Sequence, residues 1–191
     1  MPVVVLSSSG SGASRGSSEN ISFRLHKEQL DQLRQEAKEK RISLNTLASQ
    51  IIDSYLNFTS SASKAGAVPV SRATIVVLLD GYSEGQIKAM AQRIVKMSGE
   101  DSVLMFQGRY DFEALLQSFE SWIKAVDFPY RHTRTTDMNR TRHTFVVQHD
   151  MGRKYSVFAI EGFKTYFEPM ITKEIEYAIT DNIISITVEG A

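Results

Sequence analysis

Three polar side chains recur at a spacing of two near the start of the chain: Asn20, Ser22 and Arg24. Ile21, Phe23 and Leu25 stand between and after them. Successive side chains of a strand face opposite ways, so the polar set shares one face and the apolar set the other. An amide, a hydroxyl and a guanidinium in a row are hydrogen-bonding groups of the kind that read base edges. A second string, His149-Asp150-Met151-Gly152 followed by Arg153, Lys154 and Ser156, is the most distinctive of the later half. A helix N-terminus carrying Gly, Arg and Lys can hold an anion, which makes His149, Asp150 and Arg153 the candidate effector site. The plainer reading is a capped turn from strand to helix. His143 and His149 share a strand face but lie roughly 20 Å apart at a rise of ~3.3 Å per residue, so they cannot bind one metal together. Each would need other ligands, such as His132, Asp137 or Asp150; otherwise both are core-edge or surface side chains. No phosphate-binding glycine loop, nucleophile elbow, HExxH or paired-carboxylate motif occurs. The chain is therefore not expected to be an enzyme, and no cofactor or metal is expected.

The elements that position the first group follow directly. Leu30, Leu33 and Ala37 recur at helical spacing among Lys, Glu, Gln and Arg. Ser43 can cap a second helix. That helix has a broad apolar face of Leu47, Ala48, Ile51, Ile52, Tyr55 and Leu56. One short strand before two helices leaves its backbone groups unpaired. Two copies solve this: the strands pair antiparallel, Ile21, Phe23 and Leu25 pack onto the helices, and Asn20, Ser22 and Arg24 face out. Such a ribbon fits the major groove of B-DNA.

With the alternation N-I-S-F-R-L, the amphipathic helix after it and the I-S-L-N-T turn, residues 20–58 resemble the ribbon-helix-helix family of MetJ and Arc type. The resemblance implies base contacts from Asn20, Ser22 and Arg24. It implies phosphate contacts at the N-terminus of the second helix, Ser43, Leu44 and Asn45, whose amides and dipole suit an anion. Two positions depart from the family. The turn between the helices often holds Gly and here reads Lys40-Arg41-Ile42, and the residue entering the first helix is His26. The competing reading is a strand-helix-helix fragment of an ordinary α/β domain. The domain order also resembles nickel-responsive regulators of the same family, but this chain has no Cys and no closely spaced His pair.

Composition sets the bounds. The 191 residues are 42% hydrophobic and 23% charged, as in ordinary soluble domains, and the length allows one or two of them. With no Cys there is no disulfide or thiolate chemistry, and a reducing cytoplasm is the expected location. The formal net charge is zero, so any attraction to DNA must be local, from Arg24, Lys27, Arg34, Lys38, Lys40 and Arg41. Pro2–Leu6 is too short for a signal-peptide core and no membrane segment is expected.

Residues 1–19, rich in Ser and Gly, read as a disordered tail. Residues 59–69, TSSASKAGAVP, read as a flexible linker. Beyond it, 70–191 reads as a separate α/β sandwich. Thr74–Leu79 is expected as a buried strand, Ser83 with Gln86 as a capping box, and Ser102–Phe106 as a second strand. Phe112 to Val126 is an amphipathic helix, 127–141 a basic loop, and 143–149 a strand. Asp150 is expected to cap a helix over 152–169, and two final strands meet at Asp181–Asn182. A ferredoxin-like unit with an inserted helix is one arrangement that fits this order. The fold expected overall is α+β.

The expected function is a homodimeric, sequence-specific DNA-binding transcriptional regulator, with a C-terminal domain for effector sensing or oligomerisation. Repression is the default sign, because a bound head blocks promoter access. The alternative is an antitoxin-like interaction protein that binds DNA and a protein partner. An enzyme merely tethered to DNA by the head is the third reading.

Overall fold

The computed structural model describes residues 3–6, 19, 21–64, 66–137, 140–171 and 174–190. The chain divides into two compact units, Met1–Leu56 and Asn57–Ala191.

In the N-terminal unit, strand β1 (Val3–Leu6) pairs antiparallel with strand β2 (Ile21–Arg24), Val3 opposite Arg24 and Leu6 opposite Ile21. This corrects the expectation that all of 1–19 is a disordered tail. A strand edge demands partners for its N–H and C=O groups, and a run of Val suits that role. Residues 7–18 and Asn20 lie outside the described residues. Helix α1 (Lys27–Glu39) begins after His26, whose backbone N–H donates to Gln29 Oε1 at 3.1 Å. It buries Leu30 and Ala37. The helix stops at Arg41, which takes a left-handed φ of 55° while Ile42 N–H donates back to Ala37 O at 3.0 Å. Helix α2 (Leu44–Ser54) is capped as expected, Ser43 Oγ accepting from Thr46 N–H at 3.0 Å. A π turn (Tyr55–Thr59) and helix α3 (Ser60–Lys64) follow. The first half of the expected linker is thus helical: Ala62 is buried, which supplies the packing that its composition alone does not advertise.

The C-terminal unit, to which α3 belongs, continues with helix α4 (Arg72–Asp80) where a strand was expected. Ser71 Oγ accepts from Thr74 N–H at 3.2 Å and fixes the helical start. A short apolar run carries no period that separates strand from buried helix, and here the cap decides. Helix α5 (Glu84–Gln107) starts at the Ser83–Gln86 box and absorbs the second expected strand, 102–106, ending only at left-handed Gly108. At Gly99 a Cβ would come within 2.9 Å of Tyr166 Cε1, so α5 needs glycine there to lie close to helix α7 (Arg153–Phe167). Helix α6 (Phe112–Ala125) is the amphipathic helix anticipated, buried along Leu115, Leu116, Phe119 and Ile123.

The expected basic loop is mostly a strand, β3 (Tyr130–Asp137), hairpinned to β4 (Arg140–Gln148). After α7 comes the anticipated second hairpin, β5 (Glu176–Ile179) with β6 (Ile183–Glu189). The four strands form one sheet in the order β3-β4-β6-β5, with every neighbouring pair antiparallel. This is a mixed helix-and-sheet, α+β architecture. It is not the ferredoxin-like order, which alternates β-α-β-β-α-β; here two hairpins flank one helix. Along β4 and β6 alternate residues, Phe145, Val147, Ile184, Ile186 and Val188, are buried against the helical layer. The opposite face carries Thr144, Val146, Ser185 and Thr187, with Thr144 and Thr187 hydroxyls 2.9 Å apart.

Candidate functional site

In the N-terminal unit Ser22 and Arg24 are both exposed and share one face of β2. The third residue of that expected set, Asn20, lies outside the described residues. Ser43 is exposed at the start of α2, with Leu44 and Asn45 half-buried behind it. The cap already occupies Ser43 Oγ, which also lies 2.7 Å from Thr46 Oγ1, so an anion would meet the helix end through backbone amides.

Of the cations of this unit, Arg34 pairs with Asp31 at 3.3 Å and Lys40 with Glu36 at 2.9 Å. Arg24, Lys27, Lys38 and Arg41 are exposed. The apolar set is exposed too. Ile21, Phe23, Ile51, Ile52, Tyr55 and Leu56 all face solvent, Leu56 at 64%. The buried apolar side chains of this unit, among the described residues, are Leu30, Ala37 and Leu47. Among the described residues this unit sets a small buried core beside a large exposed apolar surface.

The proposed effector residues do not converge. His149 is 1% exposed. Its Nδ1 accepts from Met151 N–H at 3.1 Å, and its Nε2 lies 2.9 Å from Ser156 Oγ. Ser156 Oγ gives its proton to Thr180 O at 2.6 Å, so it must accept from Nε2–H. The geometry fixes the neutral imidazole with hydrogen on Nε2, which orients the serine as an acceptor rather than a nucleophile. Burial lowers the His149 pKa from 6.5, against a smaller opposing pull from Asp150. Asp150 is exposed, at φ 54°, and accepts from Gln148 Nε2 at 3.2 Å. It does not cap α7: Gly152 does, without a side-chain bond. Arg153 Nε donates to Glu84 Oε1 at 2.9 Å. The string therefore fastens α7 to the β5–β6 turn and to the start of α5, and gives each of its three members a structural occupation.

A different constellation forms where β3 and β4 meet α6. His132 Nε2 lies 3.0 Å from His143 Nδ1 and stacks on Phe145 with 4.0 Å between ring centroids. His132 Nδ1 is 3.8 Å from Glu120 Oε2, and Tyr130 donates to Glu120 Oε1 at 3.0 Å. Burial raises the Glu120 pKa, but bonds from Lys124 and Tyr130 and the nearby charges outweigh it and leave it lowered. His143 is lowered by burial, then by His132, with Glu113 opposing. Among the described residues no group of three or more His, Asp or Glu is placed to hold a metal ion. The sequence signal for the His pair is the register of the β3–β4 hairpin, hidden while 127–141 is read as a loop.

Among the described residues no helix is long and apolar enough to cross a membrane. Comparison of the chain with protein-family models, curated proteins and solved structures gave no match.

Proposed function

We propose that the chain is a sequence-specific DNA-binding transcriptional regulator that acts as a homodimer. Its N-terminal unit is a ribbon-helix-helix head, and its C-terminal α+β unit senses an effector or joins dimers. The observation that carries the reading is the exposed apolar surface of β2 and α2 on a unit with so few buried side chains, set against the polar face of Ser22 and Arg24. A second copy placed on that surface covers it and leaves the polar face outward.

In that arrangement β1 takes one edge of β2, and the other edge is available to β2 of the second copy. Asn20, Ser22 and Arg24 then meet base edges in the major groove, while the N-terminus of α2 at Ser43, Leu44 and Asn45 meets phosphate. The two-fold symmetry of the dimer requires a palindromic or repeated site. Repression by covering promoter DNA is the default outcome.

The test is selection of bound duplexes from a random library by the full-length protein, followed by sequencing. A symmetric motif is expected. A pool no different from the input overturns the reading.

A further inference from the structure

Helices α5, α6 and α7 line a partly open cavity of about 310 Å³ within the C-terminal unit. Its walls are rings: Phe106, Phe119, Trp122, Phe158, Phe163 and Tyr166. Phe119 and Phe163 lie 4.1 Å apart between centroids, and Trp122 and Phe163 5.6 Å. Among the described residues no Asp, Glu, Lys, Arg or His lines the space. Phe58, from the turn that follows α2, closes one side and sits 5.4 Å from the Phe106 ring.

One further detail shows that this space is not merely loose packing. Gly162 lines it from within α7, where glycine is ~1 kcal/mol worse than alanine. Nothing crowds that position: a Cβ there would come no nearer than 4.0 Å, to Val95 Cγ2. The missing side chain leaves room in the cavity and serves no close helix contact. Ser118 lines the same cavity, and its Oγ is shut from solvent with no hydrogen-bond partner among the described residues. An oxygen that water cannot reach does not open onto the space, so Ser118 forms part of the wall and offers an occupant no hydrogen bond.

We propose that this cavity binds an uncharged, ring-bearing small molecule held by apolar and ring contacts. Aromatic walls favour a flat, apolar body. A charged ligand would lose its hydration with no counter-charge to replace it. Size argues the same way: a dry apolar cavity of roughly 150 Å³ takes up benzene, so this one has room for fused rings. In the regulator proposed above the occupant would be the effector, but the site is defined by the C-terminal unit and is tested without DNA.

Trp122 is the chain's single tryptophan, so its emission reports on the cavity directly. The probe is 1-aminoanthracene, a neutral fused-ring amine, titrated into the full-length protein. Saturable quenching of Trp122 with energy transfer to the probe is expected. The same ring system carrying a sulfonate in place of the amine should bind at least tenfold more weakly. Gly162→Leu fills the space and should weaken probe binding at least tenfold. Comparing the amine with the sulfonate on the parent protein also covers the case in which Gly162→Leu does not fold. Quenching that never saturates, or a sulfonate that binds as tightly as the amine, overturns the proposal. Because DNA is absent throughout, a negative result here leaves the operator-binding reading to its own test.

Discussion

Arg41 sits where the chain asks for glycine. Its φ of 55° lies in the left-handed region, where a side chain costs about 1–2 kcal/mol, and it is held there by the bond from Ile42 N–H to Ala37 O. The family resemblance expects Gly in this turn, and the residue found in the left-handed region is Arg41. Arg41→Gly should therefore stabilise the N-terminal unit by about 1 kcal/mol, read as a higher urea midpoint with unchanged slope. His149 gives the second prediction at this scale. It is buried neutral, with its Nδ1 lone pair taken by Met151 N–H. Its folded pKa lies below the ordinary 6.5, so below pH 6.5 the unfolded chain binds the proton and the folded chain resists it. Stability is complete above 6.5 and falls as pH drops through the folded value, by at most about 1.4 kcal/mol per pH unit for that proton. His143 is lowered in the same sense and adds to the slope. Urea melts at pH 7.5 and 5.5 should show the loss, and His149→Gln should flatten it by one proton; equal slopes in the two proteins would contradict the assignment.

Among the elements, β2 and α2 carry the most consequence. Each large apolar side chain buried on dimerisation contributes about 1.5–3 kcal/mol, so the exposed set is enough to hold two copies together. Phe23→Asp combined with Ile52→Asp should shift full-length protein from dimer to monomer in sedimentation, raising the dissociation constant at least ~tenfold. A parent that sediments as a monomer, or a variant that sediments as the parent does, would contradict the proposed dimer surface. The elements visible in the sequence were those with a clear period or a start signal. The alternation through Ile21–Arg24, the Ser43 cap, the Ser83–Gln86 box, the stripe of α6 and the β5–β6 turn all read directly. Thr74–Leu79 and Ser102–Phe106 misread because short apolar runs do not separate strand from buried helix, whereas their helices are set by a cap at Ser71 and by a stop no earlier than Gly108. Strand β3 was obscured because its exposed Arg and Thr residues give no buried face to the pattern. The cavity had no linear signal, since its walls come from positions spread between Phe58 and Phe167.

For the whole molecule, zero net charge makes DNA binding a matter of local surface. The exposed cations Arg24, Lys27, Lys38 and Arg41 are the groups able to displace counterions, so affinity should fall with salt along a shallow slope of a few phosphate contacts. The central claim is that the outward face of β2 reads bases. It is tested most directly by repeating the duplex selection with Arg24→Ala beside the parent protein, and measuring both on the parent's best site at fixed salt. If Arg24 makes a bidentate base contact, the variant should lose ~1–3 kcal/mol on that site, about five- to 150-fold, and its preference should relax at the matching symmetric positions. An unchanged preference profile in Arg24→Ala would contradict the account.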